Sequence, residues 1–269
     1  MKKLVIAVTF LLFLKTGSFC QCFTSNTAFQ SGELLTYDVV YNWGFIWIGA
    51  GDVSFSVSTA NYQSNPVYYF DAHGSSYHSY DWFFKVRDSF QAYLDMETLK
   101  PLWHERNTSE GGYKAYEEYT FDHKQNLIYS KTQTSKRDYK KDTLKSEYCT
   151  FDVLSMVYVA RNFDFTGLSE GTLIPVTVVL DNEIYHLYIR YLGRELLKTR
   201  DGSKYKTIKF SSKLVEGTVF KGGEDLNVWV TDDGNRVPVL VEAKILVGSV
   251  KALLTSAENL RNKSTAKIK

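Results

Sequence analysis

The segment FDAHGSSYHSYD gathers Asp71, His73, His78 and Asp81 within eleven residues, and such imidazoles and carboxylates suit a divalent cation. Asp71 and His73 are two apart and share one face of a strand, whereas His78 falls in a Gly, Ser and Tyr stretch that reads as a loop. A solvated hairpin end has the same composition. These four residues are therefore a candidate polar site, with no metal assigned. In LWHERNTSEGG, His104 and Glu105 are adjacent and point to opposite faces of a strand, and no second His completes an H-E-x-x-H site. Asp88 interrupts an apolar face made of Trp82, Phe84, Val86, Phe90, Ala92 and Leu94. An acid there needs a partner, which Arg87 or Arg106 could supply, and a buried carboxylate in a cleft can also be catalytic.

The run WGFIWIGAGDVSF, Trp43 to Phe55, offers two further chemistries. Gly49-Ala50-Gly51 lacks the following helix that a phosphate-binding loop requires, so a glycyl bend is the better reading. Trp43, Phe45 and Trp47 share odd parity with Gly49 and Gly51, which puts all five on one strand face. An inward apolar face of that kind forms a core or lines a lipid pocket, whereas an exposed row of rings would stack on sugars. The five are the candidate ligand-binding residues. No G-x-S-x-G or other nucleophile motif occurs, so no catalytic residue or cofactor is named.

The elements that must position these groups are mostly strands. From Glu33 to Val57 the apolar residues keep odd parity, with Asp52, Ser54, Ser56 and Ser58 on the other face. Similar alternation recurs in TLIPVTVVL, EIYHLYIRYL, KYKTIKFSS and LNVWVTDDGNRVPVLVEAKILV, the last with an Asp233-Gly234 hairpin signal. About a dozen strands joined by short turns are expected. One segment breaks the pattern: in CTFDVLSMVYVARNF, Phe151, Leu154, Val157 and Tyr158 fit one helical face, and Thr150 or Asp152 can cap its start. The expected fold is a mainly β one, a large curved antiparallel sheet or incomplete β-barrel with one amphipathic helix packed on it.

Lys2 and Lys3 precede an apolar run from Leu4 to Leu14, then Ser18 and Cys20, the pattern of a secretory signal peptide cleaved before Gln21. Phe19 and Gln21 precede Cys20 and Cys22 where a lipoprotein signal wants a small residue, which argues against lipidation. Loss of three lysines takes the formal charge from +2 to −1, and no basic stripe points to nucleic acid. The remaining pair, Cys22 and Cys149, is a candidate disulfide in an oxidising envelope compartment. Residues 21–254 are read as one β-rich domain and 255–269 as a polar basic tail, with no transmembrane anchor after signal cleavage.

The segments GELLTYDVVYNWGFIWIGAGDVSFSV, VRDSFQAYLDMETLKPLW, TFDVLSMVYVARNF and WVTDDGNRVPVLVEAKILVGSVKALL resemble, in order and spacing, the secreted bacterial family called domain of unknown function 3108. The resemblance runs from about Gly32 to Leu254 and implies an envelope-exported, β-rich protein; it carries over no catalytic residue. The functional expectation is a soluble periplasmic or secreted, non-enzymatic carrier of a lipid or other apolar small molecule. A glycan-binding module, or an envelope hydrolase using carboxylates or His, is the alternative.

Overall fold

The computed structural model describes residues 25–43, 46–147, 149–214, 223–244 and 248–268. Its strands are β1 (Leu34–Trp43), β2 (Ile46–Tyr62), β3 (Asn65–Ser76), β4 (Val86–Asp95), β5 (Pro101–Glu110), β6 (Tyr113–Asp122), β7 (Leu127–Thr134) and β8 (Arg137–Lys145), then β9 (Thr150–Asp152), β10 (Leu173–Leu180), β11 (Glu183–Lys198), β12 (Lys204–Leu214), β13 (Gly223–Thr231), β14 (Pro238–Lys244), β15 (Ser249–Glu258) and β16 (Lys267–Ile268). Two short helices are α1 (Asp81–Phe84) and α2 (Val153–Val159).

All strands belong to one sheet, ordered β8-β7-β6-β5-β4-β3-β2-β1-β15-β14-β13-β12-β11-β10-β9, with β16 paired to β12. The ladder is antiparallel except where β9 meets β10 in parallel. The sheet is open, not a closed barrel, as the alternating pattern led us to expect. It rolls around α2, which touches β3 and β4 on one side and β10 on the other, until β9 stands against β5. The free edge β8 reads RDYKKDTLK and is mostly exposed, a charged edge that resists pairing with another chain.

Inside the roll, Phe29, Phe70 and Tyr158 are fully buried, and the Phe70 and Tyr158 rings stack with centroids 4.0 Å apart. Asp152 caps α2 by accepting from the Ser155 N–H at 2.8 Å. Phe151 belongs to β9, and Val157, expected on the helix's buried face, is 45% exposed. Three other expectations shift. Trp82 and Phe84 leave the β4 face, because the strand starts at Val86 and both sit in the exposed turn of α1. The hairpin at Asp233-Gly234 has a longer connection than two residues, held by Asp233 Oδ1 accepting from Asn235 N–H and Thr231 Oγ1. The stretch read as a tail folds back: β15 runs to Glu258, Asp233 Oδ2 accepts from the Thr265 and Ala266 N–H groups, and Ala266 is fully buried. The signal-peptide residues lie outside those described.

Candidate functional site

A cavity of about 390 Å3 lies between α2 and the inner face of the sheet. From the helix side come Met156, Val157 and Ala160, and from β1 and β2 come Leu35, Tyr37, Val53 and Phe55. Across the roll, Val228, Val241 and Ala252 on β13, β14 and β15 complete an apolar wall. These residues meet because inward positions on neighbouring strands fall into register, as in the pair Val241 and Ala252. The wall carries few polar groups. Burial pushes the Tyr37 hydroxyl well above the ordinary phenol range.

Two guanidinium groups also border the cavity, Arg161 and Arg236. Arg161 is buried and forms a two-pronged pair with Glu33, at 2.5 and 2.9 Å, while donating to the backbone oxygens of Asn235 and Ala28. Arg236, in the β13–β14 connection, lies over the Phe165 ring, and its Nη1 is buried with no hydrogen-bond partner. Burial lowers its pKa, the expected direction for a cation taken out of water.

The sequence-predicted ligand residues are placed differently. Pairing of β1 with β2 passes from Val39–Gly51 to Val40–Gly49, so Ala50 is an extra residue in a bulge. Such a bulge exchanges the faces of all residues beyond it. Val53 and Phe55 therefore line the cavity, whereas Trp47 lies 36% exposed beneath Lys251 Nζ, 4.7 Å from its ring centroid. Gly49 is exposed, and Gly51 makes room for the β3 backbone: a Cβ on it would meet Ser75 O at 2.0 Å. Phe45 and the Trp43 side chain lie outside what is described.

The polar candidates split into two pairs. His73 Nε2 is 3.0 Å from Asp71 Oδ2, and His78 Nδ1 is 3.2 Å from Asp81 Oδ2. Hydrogen bonds from Ser76, Arg87 and His78 hold Asp81 down to about 2, so it is an ion-paired acid at the base of an exposed loop. Among the described residues no group of three His, Cys, Asp or Glu is placed to hold a metal ion. Asp88 gains neither arginine: Arg87 pairs with Asp81, Arg106 with Glu117 and Asp181, and Asp88 Oδ1 accepts from the Ser109 N–H. Burial, then Glu110, raises its pKa to about 7. His104 is buried, with Nδ1 3.2 Å from Asp152 Oδ1 but without hydrogen-bond alignment. Cys149 is disulfide-bonded, and Cys22, its expected partner, lies outside the described residues.

Sequence reasoning missed Arg161, Glu33 and Arg236. A lone Arg or Glu beside a predicted element carries no local signal of burial, because Arg161 and Glu33 are brought together over 128 residues of chain.

The family described as protein of unknown function DUF3108 matches residues 36–255. The chain belongs to that family. The DUF3108 match spans β1 to most of β15, so it takes in the cavity and α2 together. Among solved structures, the chain is similar to a β-barrel-like protein of domain of unknown function DUF1849 from Brucella abortus. The TM-score is 0.55 at 8% identity, covering 86% of this chain and 99% of that one, which is a likeness of fold. No curated protein matches.

Proposed function

We propose that this DUF3108 protein is an exported, soluble carrier of the cell envelope that holds an apolar ligand, a lipid or acyl chain, by burial and without chemistry. The observation that carries the reading is the apolar cavity between α2 and the sheet. Its volume of about 390 Å3 falls within the range of small-molecule sites, roughly 300–1,000 Å3. Each 100 Å2 of apolar ligand surface removed from water there contributes about 2.5 kcal/mol before ordering costs. Val157 on the exposed side of α2 borders the cavity, so the helix is the element past which a ligand would enter.

The test uses the neutral fluorescent probe N-phenyl-1-naphthylamine on the mature protein. Binding should enhance its emission, and Ala252→Phe, which fills the cavity, should weaken affinity by about ten-fold or more while the protein stays folded, overpacking costing about 1–3 kcal/mol. Wild-type protein that leaves the probe dark, or a folded Ala252→Phe variant that binds it unchanged, would sink the carrier reading. Native mass spectrometry of protein taken from its own envelope then identifies any retained lipid, and N-terminal sequencing should find a start at or near Gln21.

A further inference from the structure

The two arginines of the cavity wall differ in one respect. The Arg161 charge is answered by Glu33, whereas Arg236 forms no ion pair among the described residues. Asp164, Asp232 and Asp233 lie near enough to act on the Arg236 charge, but each accepts its hydrogen bonds from other groups. Asp232 accepts from Arg194 Nε at 3.1 Å, Asp164 from the Thr166 N–H at 2.8 Å, and both Asp233 oxygens are taken up by Thr231, Asn235, Thr265 and Ala266. In the same wall Tyr158 Oη is also buried without a partner. An apolar cavity thus has two unanswered hydrogen-bond donors, one of them cationic. A buried donor left unpaired is unfavourable, and more so for a charged one.

We infer that the ligand is a single-chain amphiphile with a carboxylate head, whose oxygens pair with the Arg236 guanidinium while the tail fills the apolar cavity. This rests on the carrier reading above. A carboxylate matches the guanidinium fork in shape and charge, so binding would satisfy Arg236 without an ion of the protein's own. A neutral head cannot give the guanidinium a two-pronged ion pair, and a cationic head is repelled by it. The cavity volume, near the lower end of the range for small-molecule sites, suits one chain better than two.

Calorimetric titration of the mature protein with dodecanoate, 1-dodecanol and dodecylammonium, below their micelle concentrations and at about pH 8 where the carboxylate is ionised, reads the head-group preference. Dodecanoate should bind about ten-fold or more tighter than dodecanol, with dodecylammonium weakest. Arg236→Gln should bring dodecanoate down to the dodecanol level and leave dodecanol within about two-fold, whereas Arg236→Lys should keep part of the preference. If dodecanol binds wild-type protein as tightly as dodecanoate, the head-group inference falls and the carrier reading stands. If none of the three binds, the carrier reading itself falls. Should Arg236→Gln fail to fold, the wild-type comparison of the three heads still decides.

Discussion

The sheet meets itself and its helix in two opposite ways. On one side the tip of the β10–β11 hairpin, Asp181-Asn182, lands on the face of β5 to β8 and is held by directional polar contacts. Glu117 accepts from the Asp181 N–H at 2.8 Å, Tyr119 Oη accepts from the Asn182 N–H at 2.9 Å, and Arg106 bridges Glu117 and Asp181. On the other side α2 faces β1, β2 and β11 to β15 across a mostly apolar space bordered by the two arginines. The first arrangement closes the roll without a backbone ladder. The second leaves volume. The hairpin side also packs apolar groups, Val179 and Ile184 against Tyr119, Phe121 and Ile128, so what distinguishes it is that hydrogen bonds of set length fix its register while the other side stays hollow.

The greatest expected effect tests whether the hollow side depends on its buried ion pair. Arg161→Ala leaves Glu33, 1% exposed, as an unpaired buried carboxylate beside the cavity, and should cost about 3–5 kcal/mol in urea unfolding. The paired change of Glu33→Gln with Arg161→Met should recover much of that loss, because no charge is then stranded. A single-variant loss below about 1 kcal/mol would mean that the cavity wall is held by packing alone, and the contrast between the two sides would weaken.

Much of the fold was legible in the sequence, and the reasons are local. Alternation from Leu35 to Val57 marked the β1–β2 hairpin, and the changed spacing after Cys149 marked α2 with Thr150 and Asp152 as cap candidates, of which Asp152 is the cap. The ligand residues were less legible because parity survives only until a bulge. One extra residue at Ala50 turned Trp47 away from the face that Val53 and Phe55 keep. The hairpin seam was not legible at all: nothing near Asp181 and Asn182, which the structure holds at positive φ, announces Glu117 or Tyr119.

A second test asks whether the polar half alone responds to pH. Asp88 has its pKa raised to about 7 in the folded protein by burial and by Glu110. In the unfolded chain an Asp titrates near 3.9. Between about pH 4 and pH 7 the folded state therefore holds a proton that the unfolded state has lost, so stability falls as pH rises through this window and levels off above it. Asp88→Asn should flatten that slope, the difference from wild type reaching about 1 kcal/mol, well short of the full shift because Glu110 shares the titration and solvent screens the half-buried carboxyl. Denaturation midpoints measured across pH 4 to 8 give the comparison. Parallel wild-type and variant curves would place the carboxylate in water and remove it from the buried polar set.

The smallest effect is the most discriminating, because it separates the two sides directly. Asn182 Oδ1 accepts from Ser130 Oγ, and its Nδ2 donates to Asp142 Oδ2 at 3.1 Å, so its side chain ties the hairpin tip to β7 and β8. The backbone there has φ of +64°, which glycine adopts without strain. Asn182→Gly therefore removes the side-chain bonds while keeping the turn and its N–H bond to Tyr119. The loss should be about 1 kcal/mol of stability, read as a lowered urea midpoint, with N-phenyl-1-naphthylamine affinity unchanged. If probe affinity drops by about ten-fold while the fold persists, seam and cavity are coupled: the hairpin tip sets how tightly the sheet rolls, and with it the volume left beside α2. If affinity holds and only the midpoint moves, the polar side is a fastening and the apolar side a container, each open to change without the other.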